Sequence, residues 1–239
     1  MKRLFFLFLL VPVLGMGQTK NVLNVTRVFA KPDKVLEFEK ALAAHVQKYH
    51  KGDWAWRVFD IQTGPDANGY MIAEGPTTWD AFDGRGNLGT EHNNDWNKNV
   101  AIYTVDRGGA GYVQFVDSLS TVQLTDYSDK IVISHVFPKP GMIKGVIELQ
   151  TKMKKVWQAG NESVAVYQAV TSGAPEFLSV TRLKNGLKEM ADGYRKPMPE
   201  RYNMAHGAGA WDMYLADFAK CVDNRWSELL SFRADLSTK

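Results

Sequence analysis

The sequence predicts an α+β protein in which one β-α-β-β-α-β unit occurs twice in tandem. Three observations carry this reading. A collinear series of internal matches links the two halves, the hydrophobic period changes in the same order within each half, and a short apolar run behind Lys2-Arg3 sets the first residues apart from both.

The matches come first. Val28-Phe29-Ala30-Lys31-Pro32 returns as Val136-Phe137-Pro138-Lys139-Pro140, a shift of 108 residues. The same shift carries Leu23 onto Ile131, Val25 onto Ile133, Phe38 onto Val146, Tyr49 onto Trp157 and Phe59 onto Tyr167. Near the far end, Phe115 to Thr121 aligns with Phe232 to Thr238 at a shift of 117, which places a net insertion within 194–206. Residues 22–121 and 131–238 are therefore expected to be copies of one unit, joined by a connector at 122–130.

Within a copy, residues 22–29 and 131–137 alternate as strands. Lys31-Pro32-Asp33 stops the first strand and offers Asp33 as a helix cap. Val35, Phe38, Leu42, His45 and Tyr49 then fall at spacings of three and four, one face of a helix that Gly52 closes. Two strands follow around a turn, at 54–63 and 70–74 and again at 164–171 and 177–183. A polar, helix-compatible segment (91–107, 211–226) and a last strand (112–119, 228–236) complete each copy.

Ahead of the repeats, Lys2-Arg3, the apolar run Leu4–Leu14 and the small residues around Gly15-Met16-Gly17 read as a cleaved export signal over 1–17, with the cut before Gln18. The run is too short to span a bilayer, which takes about 20 apolar residues. The mature chain is expected outside the cytoplasm, periplasmic or extracellular, without stable membrane insertion. Loss of Lys2 and Arg3 from 29 basic residues, against 26 acidic ones, leaves a net charge of +1. That is no footprint for nucleic acid. Seven Trp, nine Tyr and twelve Phe exclude disorder, and the single Cys221 excludes an intrachain disulfide.

The order β-α-β-β-α-β is that of the ferredoxin-like unit. One face of its sheet is left open, and two copies in one chain can cover each other's open face. In element order and duplication the chain, over about 22–238, resembles the dimeric α/β-barrel superfamily. The resemblance implies two ferredoxin-like repeats packed as an intrachain pseudo-dimeric barrel. It also implies a cofactor-light monooxygenase or a haem-binding protein as one class of function, with a histidine on the second helix of a copy, His92 or His206, as the haem-side residue.

The residues themselves single out a few further positions. Arg27 and His135 are equivalent under the 108 shift and share strand faces with bulky apolar neighbours, so each needs a partner or a wet cavity; Asp60 and Gln62 lie on the neighbouring strand pattern. His45 sits in the helical stripe. Trp54 and Trp56, with Phe59, Tyr70 and Trp79, are candidates to line a ligand cavity or to fill a core. His45 and His50, five residues apart, do not share a helix face as metal pairs four apart do, and no zinc site is expected. Gly84–Gly89 spells GxGxxG without a preceding strand and reads as a loop, and Cys221 reads as an inert thiol. No catalytic constellation and no particular cofactor emerges. Three classes stay open: a module binding a small molecule or a partner, the oxygenase or haem protein of the resemblance, and a structural exported protein, with homo-oligomer formation undecided.

Overall fold

A computed structural model describes residues 19–86, 88–171 and 173–239. The expected export segment, Asn87 of the glycine-rich loop and Ser172 lie outside the described residues. The strands are β1 (Val22–Ala30), β2 (Trp56–Ile61), β3 (Tyr70–Thr77), β4 (Thr104–Phe115), β5 (Lys130–Pro138), β6 (Val164–Val170), β7 (Phe177–Arg182) and β8 (Val222–Phe232). The helices are α1 (Val35–Tyr49), α2 (Trp79–Gly84), α3 (Thr90–Asp95), α4 (Ile143–Ala159), α5 (Met198–His206) and α6 (Ala210–Cys221). No described helix is long and apolar enough to cross a membrane.

The strands close into one antiparallel barrel in the order β1-β3-β2-β8-β5-β7-β6-β4. This corrects the expectation of two ferredoxin-like repeats packed against each other. Separate sheets would leave β2, β4, β6 and β8 with unpaired backbone edges, and buried or exposed edges of that kind are costly or sticky. Here β2 pairs with β8 at Phe59–Phe232, Asp60–Ser231 and Ile61–Leu230, and β4 pairs with β6 from Tyr112–Val170 to Phe115–Tyr167. The result, among the described residues, is a single eight-stranded barrel with six α-helices.

Alternation along the strands divides the side chains between inside and outside. Phe59, Ile61, Met71, Ile131, Ile133, Val180 and Leu230 point inward and pack together. Outside the first half, Phe38, Leu42 and Val46 of α1 are fully buried on Val28, Val58 and Ile72. Burial on this scale stabilises by about 1.5–3 kcal/mol per side chain. Outside the second half, Val146, Leu149 and Met153 of α4 and Tyr202 of α5 cover Val136, Val166 and Phe177, with α6 leaning on them. Gly145 of α4 lets that helix approach α6, because a Cβ there would come within 2.5 Å of the half-buried Cys221 Sγ.

Several boundaries differ from the sequence expectation. Helix α1 starts after Lys34, whose side chain makes no cap bond, and ends at Tyr49, with His50 rather than Gly52 closing it. Strands β4 and β8 begin well before 112 and 228. In β4 the early part reads Asp106-Arg107-Gly108-Gly109-Ala110-Gly111, a composition that argues against strand. It is strand because Gly108 faces the backbone of β1 at a distance no side chain tolerates: a Cβ there would sit 2.2 Å from the Arg27 carbonyl oxygen. The connector after β4 folds over one end of the barrel and puts Leu124 into the inner core.

Candidate functional site

The barrel is hollow. Its cavity of about 390 Å³ is lined mainly by apolar side chains, among them Leu23, Val25, Phe59, Met71, Ile133 and Val180. That volume falls in the range of small-molecule sites. Charged groups stand at both ends. Arg27, His135 and Glu176 line one end, and Arg57 and Arg182 line the other together with Tyr127 of the connector. Arg182 pairs with Ile131, four residues before His135 on β5, which at about 3.3 Å per residue puts the two groups some 13 Å apart along the strand.

The first end is fully paired. Glu228 of β8, with no exposed side-chain surface, accepts from both guanidinium nitrogens of Arg27, at 2.9 Å from Nη1, and lies 3.0 Å from His135 Nε2. Arg27 Nη1 also reaches Asp66 at 2.9 Å, and His135 Nδ1 bonds to Glu176. The His135 ring lies flat on Trp226, centroids 3.6 Å apart. Burial alone would lower the His135 pKa, but the bonds to Glu176 and Glu228 outweigh it and raise it. Burial pushes the Glu228 carboxyl up, and the bonds from Arg27 and His135 bring it below its ordinary value. Both residues singled out by the repeat thus border the cavity, joined through a carboxylate that was not foreseen. Asp60 is not their partner; it faces Arg233 at 3.2 Å.

The other end is not paired in this way. Arg182 donates to the carbonyls of Gln123, Leu124 and Asp126, so the connector itself satisfies it. The Arg57 side chain makes no hydrogen bond or ion pair with the described residues, and its Nε is buried without a partner. Its guanidinium lies 3.7 Å from the Tyr127 ring centroid and 4.4 Å from that of Phe232. Burial lowers its pKa, opposed by Tyr127 and the Asp129 carboxylate, while the nearby Arg182 charge acts in the same direction as burial.

A second cluster lies on the outer face of β2 and β3, beneath α1. His45, His50 and His92 bring one ligand atom each to within 4.8 Å of one another. His45 Nδ1 meets Asp95 at 2.7 Å and its Nε2 lies 3.3 Å from His50 Nε2. His50 stacks on Trp56 and its Nδ1 is 3.4 Å from Glu74, without hydrogen-bond geometry. His92 Nδ1 meets Asn93 at 3.1 Å, while its Nε2 is buried and without a partner among the described residues. Burial lowers the pKa of both His45 and His50, partly opposed by Asp95 and Glu74, so both imidazoles are held neutral. The two do not share a helix face, yet they meet, because His50 lies past the end of α1, where extended backbone places it beside His45.

His45, Trp56 and His92 therefore converge, while Trp54 and His206 join neither group. Trp54 packs on Phe82 and Arg85. His206 Nε2 is bonded to the Lys152 carbonyl at 2.8 Å and its ring rests on Tyr202. Of the aromatic residues named from the sequence, Phe59 lines the cavity. Neither His92 nor His206 borders it, and His135, the one histidine that does among the described residues, has both ring nitrogens taken. The cavity's histidine therefore offers no free ring nitrogen to a haem iron. Glu176, Glu228, Arg57, Glu74 and Asp95 were missed in the sequence. Glu228 alone carried a signal, as a charge in the alternation Trp226, Glu228, Leu230.

No protein-family model and no curated protein matches the sequence. Solved structures do match the fold. An anthrone oxidase-like protein superposes with a TM-score of 0.60 at 12% identity, covering 90% of this chain and 92% of its own. A candidate monooxygenase of Fusobacterium nucleatum gives 0.53 at 14% identity over 88% and 91% of the two chains. Another, of Lactobacillus acidophilus, gives 0.51 at 8% identity over 91% and 95%. These proteins have the dimeric α/β-barrel fold, and the likeness extends to fold alone.

Proposed function

We propose that this protein binds a small, largely apolar molecule bearing one anionic group inside its barrel, with Arg57 as the partner of the anion. The observation that carries the reading is the Arg57 guanidinium, with its Nε buried and unpartnered, in the wall of a largely apolar cavity. A desolvated cation without an acceptor is costly, and a ligand carboxylate or phenolate supplies the acceptor in a geometry that a guanidinium matches. The aromatic rings of Tyr127 and Phe232 hold the guanidinium in place.

Binding comes before turnover in this reading. Catalytic proton abstraction needs a free lone pair facing the ligand, and the His135 ring nitrogens both face carboxylates. Oxygenation of such a ligand is the second reading, favoured by the oxidase-like and monooxygenase descriptions of the proteins with this fold. The collinear matches between 22–121 and 131–238 support a tandem duplication, and the segment 1–17 supports export with cleavage before Gln18.

Calorimetry with a panel of aromatic carboxylates, phenols and their neutral amides tests the proposal. The anions are expected to bind, and Arg57→Met, which keeps bulk and removes charge, is expected to weaken them at least about tenfold while leaving neutral analogues unchanged. Ala73→Leu, which fills the cavity wall, is expected to block both. Equal binding of anions by the wild-type chain and Arg57→Met defeats the assignment of Arg57.

A further inference from the structure

We propose that His45, His50 and His92 form a mononuclear site for a first-row divalent transition metal, zinc foremost. The three ligand atoms already lie within 4.8 Å of one another. The 3.3 Å between the Nε2 atoms of His45 and His50 is close to the edge of a tetrahedral site, about 3.3–3.4 Å for metal–nitrogen bonds of about 2.0–2.1 Å. Closing the set requires His92 to swing inward. It is the least buried of the three and rides on the six-residue α3, followed directly by a π-helical turn at Trp96–Val100. Such turns are frequent at functional sites.

The surroundings have the form that supports metal-bound imidazoles. Asp95 accepts from the far nitrogen of His45 and is itself held by Asn99 at 2.9 Å. Glu74 stands behind the far nitrogen of His50, fixed by Trp56 Nε1 at 2.6 Å and by both guanidinium nitrogens of Arg85. Carboxylates in these places set the tautomer and raise the basicity of the ligand.

Hydrogen bonding alone leaves the cluster incomplete. The two Nε2 atoms of His45 and His50 can share one proton, but His92 Nε2 then remains buried and unpaired. A cation between the three rings satisfies all of them. An all-nitrogen set does not suit calcium or magnesium, which take oxygen ligands, whereas imidazole suits zinc, copper, iron and nickel. Three protein ligands also leave a coordination position open to water or a small molecule. A surface depression of about 320 Å³, bordered by Tyr49, Glu91 and Asp95, lies beside the cluster, and Asp95 is shared between the two.

This site is separate from the barrel ligand. Trp56 and Glu74 face outward from the same hairpin whose neighbouring residues Arg57 and Ala73 face the cavity. Loss of one site therefore says nothing of the other. The chain, stripped with chelator and dialysed against Zn²⁺ or Co²⁺, is expected to retain about one equivalent, the Co²⁺ form showing the visible absorption of a four-coordinate nitrogen site. His92→Ala is expected to lower affinity at least 100-fold and Asp95→Asn about 10–100-fold. His206→Ala, in a histidine elsewhere, is expected to leave it unchanged. Melting of the metal-free variants shows whether they fold. If His92→Ala does not, X-ray absorption at the zinc edge of the wild-type chain counts the imidazoles directly. No retained metal, retention unaffected by His92→Ala in a folded variant, or fewer than three imidazole ligands overturns the proposal.

Discussion

Glu228 accepts from a guanidinium on β1 and an imidazole on β5, and so ties the two halves together from inside the barrel. Removing it leaves Arg27 with Asp66 alone and His135 with Glu176 alone, in a place where water reaches little. Glu228→Ala is expected to cost about 3–5 kcal/mol, read by chemical denaturation. Because the His135 pKa is raised on folding, its contribution to stability is complete below the unfolded value of about 6.5 and declines as pH rises through the folded value. His45 and His50, whose pKa values are lowered, act in the opposite direction over the same range, so the test is the stability difference between the wild-type chain and His135→Gln, which should shrink as pH rises from 6 upward. The positions of Arg27 and His135 were legible in the sequence, because a charge in a period-two apolar pattern has only a cavity or a partner to turn to. Their shared partner was not. Register between β5 and β8 decides it, and nothing local in either strand encodes register.

Elements were read well where periodicity is strong and poorly where a close approach decides. Of the α1 stripe, Phe38, Leu42 and His45 are buried as the spacing predicts, while Val35 in the first turn is exposed and Tyr49 in the last is only partly covered. Strand β4 was truncated in the sequence reading because glycines at 108, 109 and 111 look like a loop, although the chain needs them to run against β1. Gly108 adopts φ +124 with the Arg27 carbonyl directly beneath its missing Cβ. Gly108→Ala is expected to cost about 1–3 kcal/mol from backbone strain, and more if the β1–β4 pairing gives way; the urea midpoint measures it. The histidine cluster escaped for a similar reason. A spacing rule for helix faces was applied to His50, which the end of α1 had already released from the helix.

At the scale of the molecule, barrel closure replaces the expected pair of sheets, and each half depends on the other for two of its strand partners. A fragment of residues 19–121 carries β2 and β4 with one edge of each unpaired, and lacks the Glu228 that pairs with Arg27. Expressed alone it is expected to be unfolded or aggregated by circular dichroism and NMR; a well-dispersed monomeric fragment would contradict this account of closure. Element order in the sequence carries the number of strands, and the hydrogen bonds at the two seams decide where each one goes. Those seams join residues far apart in the chain: positions 59–61 of β2 find their second neighbour in residues 230–232. During biosynthesis that edge emerges early and stays a bare row of amides and carbonyls until almost the whole chain has followed. The finished barrel offers other chains no such edge at this seam, so its exposure to misassembly belongs to the order of its making rather than to its mature surface.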